Sequence, residues 1–237
     1  MPELPDISSY IVALKRQIVG ERIERIQVRS PFLVRTVSPE LDCLVGEAVV
    51  DLSRIGKRIV WHFVDERFLV FHLMIAGRFH WKKADARPTG KNDLAAFGFQ
   101  DGTLLLTEAS QKKRASLHLV VGAAALAQFD RGGIDPLACS LDEFRSALQR
   151  ENHTLKRSLA DPRLLSGIGN AYSDEILFAA KLSPVSSGSG SPRLPAEMHS
   201  MPSGANSSAS SLTLPSLCVA MTSLSPRLSV TAMLKRR

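Results

Sequence analysis

Between Arg22 and about Val121 the chain is cut into short β-rich segments: Arg22 to Val28, Ala48 to Leu52, Arg58 to Val64, Phe68 to Leu73, Leu94 to Phe99 and Thr103 to Leu106. Gly46, Gly56, Gly77 and the Asp101-Gly102 pair separate them. Segments this short cannot bury an apolar face alone, so the pattern predicts a two-layer β-sandwich. Upstream the period changes. Ile7, Ile11, Leu14 and Ile18 fall at helical spacing and Gly20 is placed to end the run, which predicts an amphipathic helix on one side of the sandwich.

The character shifts again around Gly132-Gly133-Ile134-Asp135-Pro136-Leu137. Ser140 to Gln149 and Asn152 to Leu159 read as short helices. A glycine-punctuated turn at Leu164 to Asn170 follows, and then a helix from about Ala171 to Lys181 with Ile176, Leu177 and Ala180 facing inward. From Ser186 the chain is rich in Ser, Pro and Met, without aromatic residues and with Glu197 as its one carboxylate. Such a stretch lacks the large side chains that offset the entropy of ordering, so disorder is expected there, with Leu212 to Met221 its most apolar part. The expected organisation is α+β, with a leading helix and β-sandwich over residues 2–121, a helical domain over 122–185 and a tail over 186–237.

The terminal residues carry the chemistry. Removal of Met1 would leave Pro2 as a secondary amine with the Glu3 carboxylate beside it. An α-amine ionises far below lysine, so part of it is unprotonated near neutrality and can attack an electrophilic carbon to form an iminium, while Glu3 moves protons. A Pro-Glu pair also simply begins a helix, because proline suits a first turn and acids favour a helix N-terminus. Both readings stand on these residues alone. The formal charge of +7 and pI near 9.6 favour a polyanionic partner, nucleic acid first. No apolar run reaches the roughly 18 residues that span a bilayer, and the start lacks the build of a secretory signal, so a cytoplasmic protein without a membrane partner is expected. Cys43, Cys139 and Cys218 are odd in number and far apart, which argues against disulfides and against a Cys-x-x-Cys zinc site.

Taken together, several motifs make the chain resemble the formamidopyrimidine-DNA glycosylase and endonuclease VIII family over roughly residues 2 to 185. They are Pro2-Glu3-Leu4-Pro5-Asp6, Gly56-Lys57-Arg58, the strand His72-Leu73-Met74-Ile75-Ala76-Gly77, Gly133 to Leu137, and Leu165-Ser166-Gly167-Ile168-Gly169-Asn170-Ala171-Tyr172-Ser173-Asp174-Glu175. The resemblance implies a bifunctional DNA glycosylase and abasic-site lyase of base-excision repair, acting as a monomer on double-stranded DNA with oxidised bases, purines expected among them, or abasic sites. Pro2 would attack the sugar C1′ and Glu3 would act as acid and base. Lys57 would meet a backbone phosphate near the lesion, although a lysine in a turn is more often simply solvated. Asn152 to Lys181 resembles a helix-two-turn-helix element in which Asn170 and Lys156 contact phosphate; spacing alone also allows an ordinary helical hairpin with Asn170 as a cap. DNA is expected in a cleft between the two domains.

Base extrusion leaves a hole that inserted side chains fill, and Met74 or Ile75 is the local candidate. Here the chain departs from the better-known family pattern. The glycine before the inserted methionine is missing, and the Arg-Phe pair expected after the later strand is replaced by Ser110-Gln111-Lys112-Lys113-Arg114-Ala115-Ser116, whose Lys113 and Arg114 could track phosphate. Family members finish with further helices and a four-cysteine zinc finger. No such ligand set appears here, so no cofactor is expected from this chain, and a tail read out of register after Pro184 would account for the change. Two other functions compete with the repair enzyme: a damaged-DNA-binding remnant without turnover, and, more distantly, a tautomerase using terminal proline on a small molecule.

Overall fold

The computed structural model describes residues 1–186. They belong to two compact units that divide between Arg131 and Gly132. Except for Ser186, the expected disordered tail, with Leu212 to Met221 and Cys218, lies outside the described residues.

In the first unit, helix α1 (Leu4–Ile18) starts after Glu3, whose backbone N–H donates to the Asp6 carboxylate at 2.9 Å. This side chain satisfies an amide that helical bonding leaves over. Ile7, Tyr10, Leu14 and Ile18 are buried on one face, as the spacing predicted. Two four-stranded antiparallel sheets follow, built from β1 (Arg25–Val28), β2 (Asp51–Ile55), β3 (Arg58–His62), β4 (Arg67–His72), β5 (Gly77–Lys82), β6 (Asp93–Phe99), β7 (Gly102–Glu108) and β8 (Ser116–Val121). Their orders are β1-β6-β7-β5 and β2-β3-β4-β8. The core holds α1 together with residues of both sheets. Its aromatic centre is Trp61 against Phe71 at 4.8 Å, Phe71 against Phe79 at 5.3 Å and Tyr10 against Phe79 at 5.7 Å between ring centroids. Each large side chain so buried is worth roughly 1.5–3 kcal/mol.

All six expected strands have counterparts with shifted ends, and two more are present. β5 alternates strictly, with Phe79 and Trp81 buried and Arg78, His80 and Lys82 exposed. Its three basic residues mask a period-two pattern that was there to be read. One reading is corrected: His72 to Gly77 is not a strand. β4 ends at His72 and residues 73–76 form a tight turn, closed by the Gly77 N–H on Leu73 O at 2.9 Å, with Met74 at φ +53°.

The first unit also runs ten residues past the expected boundary at 121. The short helix α2 (Ala123–Ala127) packs on β8, and Leu126 and Phe129 cover Val60, Phe68 and Val70 on the outer face of the second sheet. Among the described residues no helix is long and apolar enough to cross a membrane.

The second unit contains α3 (Leu141–Gln149), α4 (Leu155–Ala160) and α5 (Asn170–Ala179). Ser140 caps α3 by a reciprocal exchange with Glu143, and Thr154 accepts from Arg157 N at 3.4 Å to start α4. That cap explains why α4 begins at 155 and not at Asn152. Two sequence motifs meet here. Ile134 N donates to Leu164 O at 3.1 Å and Ser166 N to Ile134 O at 2.8 Å, joining the Gly133–Leu137 segment to the turn before α5. A Cβ on Gly133 would sit 2.4 Å from Pro162 O, so the closeness requires glycine. Ile176, Leu177 and Ala180 are buried as expected.

A Cβ on Gly77 would lie 2.3 Å from Leu73 O, inside the turn just described. Gly77→Ala is expected to destabilise the chain by about 1–3 kcal/mol, read as a lower urea midpoint with unchanged slope.

Candidate functional site

The chain start is held, not frayed. Pro2 and Glu3 are both buried, Glu3 to 1% exposure, while Met1 remains 46% exposed at the surface. The two readings of Pro-Glu therefore coexist, because Glu3 is the N-cap of α1 and its carboxylate is also an acid withdrawn from water. With Met1 in place the Pro2 nitrogen is an amide. Its removal turns a nitrogen already fixed by α1 into a secondary amine.

Lys57 lies close by. Gly56 and Lys57 make the two-residue turn joining β2 to β3, with Gly56 at φ +58°, as a tight hairpin requires of its first residue. Burial holds the Lys57 ammonium below the usual lysine range, and the Glu3 carboxylate pulls it back up, so the two charges are within electrostatic reach. The β3–β4–β8 register then aligns Arg58, His72 and Ser116 across one face, with His118 further along β8. His72 is pushed down to about 4, chiefly by burial and then by the positive charges of Arg58, Lys57 and His118. Its imidazole is neutral at physiological pH. Arg58, held low by burial and by Arg131, donates to Phe129 O at 3.3 Å and stacks 5.5 Å from the Phe129 ring centre. Sequence reading did not single out His72 or Arg58. The signal was available, since both belong to named motifs, and the register places them on the same face of paired strands.

The wedge candidates sit directly after His72. Met74 is partly exposed in the left-handed region, which costs a non-glycine residue about 1 kcal/mol, and Ile75 is 54% exposed. The basic loop is beside them, because Glu108 at the end of β7 is the register partner of Gly77. Lys113 does not project outward. Its ammonium donates to Glu108 O and to Asn92 Oδ1, while Lys112 and Arg114 are exposed.

The second unit brings Asn170 and Lys156 together. Both line a cleft of about 500 Å³ with Thr154, Arg157, Ala160, Asp161 and Pro162. Gly167 at φ +90° turns the chain into it, and Gly169, not Asn170, is the N-cap of α5, which leaves the Asn170 side chain exposed at the first helical position. Lys156 meets Asp174 at 2.7 Å on the surface. An exposed pair of this kind contributes no more than about 1 kcal/mol, so it can be exchanged for a phosphate. Nearby, Glu151, His153 and Asp161 converge, but Arg163 already engages Asp161 at 2.7 Å and Glu151 at 3.6 Å, which makes the cluster a salt-bridged brace. The three cysteines of the chain do not fit a four-cysteine zinc site; of them Cys43 is exposed, and Cys139 belongs to the other unit.

Residues 1–114 match the formamidopyrimidine-DNA glycosylase N-terminal domain and residues 133–192 match the formamidopyrimidine-DNA glycosylase H2TH domain. A formamidopyrimidine-DNA glycosylase of Heliobacterium modesticaldum is 33% identical over 192 residues, covering 78% of this chain and 69% of the relative. One from Mycoplasma genitalium is 30% identical, covering 78% and 66%. The chain thus spans about two thirds of the length of the curated relatives it matches. Among solved structures, a Lactococcus lactis Fpg mutant bound to Fapy-dG-containing DNA superposes with a TM-score of 0.71 at 29% identity, covering 79% of this chain and 70% of that one. The L. lactis Fpg complex with abasic-site DNA gives 0.76 at 26% identity, covering 94% and 78%.

The His72 environment sets a pH dependence. Its folded pKa lies below the unfolded value of about 6.5, so above that pH the imidazole is neutral in both states and contributes nothing. As pH falls from 6.5 towards 4 the unfolded chain takes up a proton that the folded chain refuses, and stability drops. Denaturant titrations at pH 7 and pH 4.5 are expected to show a loss that His72→Asn reduces by on the order of 2 kcal/mol.

Proposed function

The chain belongs to the formamidopyrimidine-DNA glycosylase family, and from that premise we propose that it is a base-excision repair glycosylase with abasic-site lyase activity, acting on duplex DNA that carries oxidised bases or abasic sites. The observation that carries this reading is the chain start: Pro2 and the buried Glu3 are fixed by α1, with the half-desolvated Lys57 ammonium in electrostatic reach.

Once Met1 is removed, the Pro2 nitrogen attacks C1′ of the damaged nucleotide and the N-glycosidic bond breaks, its electron pair leaving with the base, which takes a proton from solvent. The Glu3 carboxylate takes the proton that the substituted Pro2 nitrogen gives up and delivers it to the sugar ring oxygen, the ring opens, and the Pro2 nitrogen becomes an iminium. The iminium acidifies the neighbouring C2′ proton. Transfer of that proton to the Glu3 carboxylate expels the 3′ phosphate and cuts the strand, and water then hydrolyses the iminium to return the amine. Lys57 supports these steps by holding a backbone phosphate near the reacting sugar, and a partly buried ammonium does so more strongly than a solvated one. Met74 and Ile75 fill the space left by the extruded base. Asn170 and Lys156 hold phosphate at the second unit, where the α5 N-terminus adds its positive dipole end. None of these roles uses zinc.

A second reading has one observation in its favour: with Met1 in place the Pro2 nitrogen is an amide that cannot attack, and the chain would then be a damaged-DNA-binding remnant without turnover. Borohydride trapping on abasic-site duplex separates the two. The processed chain is expected to give a covalent adduct, a chain retaining Met1 is expected to give none, and binding without any adduct would support the remnant. Glu3→Gln is expected to slow excision of an oxidised base by about 10²–10⁴-fold. Lys156→Ala should weaken duplex binding and lower the slope of log affinity against log salt by about one, with little change in melting temperature.

A further inference from the structure

Glu108 is one of two carboxylates buried among the described residues, and it lies at the root of the basic loop after β7. Its Oε2 accepts from Arg114 N at 2.8 Å and Ala115 N at 3.0 Å. Its Oε1 is 2.8 Å from Ser110 Oγ, which also approaches Lys112 O at 2.9 Å. A withdrawn carboxylate persists only when hydrogen-bonded, and here its partners come from both ends of one loop. The backbone of the same residue ties the loop to the segment before β6: Glu108 O accepts the Lys113 ammonium, which also reaches Asn92 Oδ1 at 3.2 Å, and Glu108 N donates to Asn92 O at 2.8 Å. Of three consecutive cations, the middle one is thus turned inward, while Lys112 and Arg114 are exposed.

We propose that Glu108 and Lys113 form a brace that fixes the loop, so that Lys112 and Arg114, and not Lys113, carry its contacts with DNA phosphates beside the Met74 turn. The inference rests on the repair reading above and refines the sequence expectation that paired Lys113 with Arg114 as DNA contacts. Glu108 and Lys113 are positioning residues. A preorganised loop spares the ordering entropy that a flexible cationic segment would lose on binding.

The test combines amide hydrogen exchange of the free chain with duplex binding to an abasic-site analogue over a range of salt. In the wild type the Arg114 and Ala115 amides are expected to be protected. Glu108→Ala, which removes both acceptor oxygens, should lose that protection at least tenfold and bind about tenfold more weakly; Ser110→Ala, a milder change, serves if E108A does not fold. Lys112→Met and Arg114→Met should each lower the salt slope by about one, whereas Lys113→Met should weaken binding, loosen the two amides and leave the slope unchanged. A one-unit fall in slope for K113M with the amides still protected would overturn the brace. So would unchanged protection and affinity in E108A. Protected amides in a wild type that fails to bind the duplex would instead remove the repair reading, and the DNA contacts of Lys112 and Arg114 with it.

Discussion

The position of the first three residues depends on the burial of one helix face. Ile7, Tyr10, Leu14 and Ile18 of α1 enter the core that Trp61, Phe71, Phe79 and Phe97 fill, and a helix anchored by four such side chains cannot slide without opening cavities worth several kcal/mol. Pro2 and Glu3 precede that helix by one turn or less. Their location is therefore dictated by hydrophobic packing further along the chain, and no flexible terminus has to be recruited for chemistry. An amine delivered this way reacts with the advantage of fixed orientation.

The two buried carboxylates of the first unit follow one logic. Glu3 and Glu108 each stand at the end of an element, where backbone N–H groups lack regular partners and a charged acceptor can be stabilised. In one case the charge is placed beside a lysine and a reactive nitrogen. In the other it organises the conformation of a loop. Along the β3–β4–β8 face burial, and then the charges of Arg58, Lys57 and Arg35, hold His72 and His118 low, and burial and then Arg131 lower Arg58, so positive charge is concentrated on a partly desolvated face, where it attracts anions more strongly than the overall basic balance implies.

Much of this was legible in the sequence, and the limits have physical causes. The leading helix, six strands and the inward face of α5 follow from period and punctuation, which local side-chain chemistry controls. The Pro-Glu helix start and the Gly56-Lys57 turn were visible because helix N-termini and tight turns demand particular residues. β5 was missed because its outward positions are basic and its inward ones are separated by them. Residues 73–76 were read as strand because an apolar run resembles one, while the left-handed Met74 and the Gly77 contact that make it a turn appear only when the backbone closes on Leu73. The inward direction of Lys113 was likewise hidden, since its partners Glu108 and Asn92 are joined to it by tertiary packing; sequence distance gives no hint of Asn92.

The pairing of Gly77 with Glu108 has an evolutionary corollary. Adjacent strands in fixed register carry the Met74 turn and the basic loop at the same end of one sheet, so lengthening either segment changes the space open to its neighbour. Relatives that differ in the length of one segment should then differ in the other as well, and a chimaera that exchanges them should transplant the two as a single cassette, with the glutamate and the glycine at its seam.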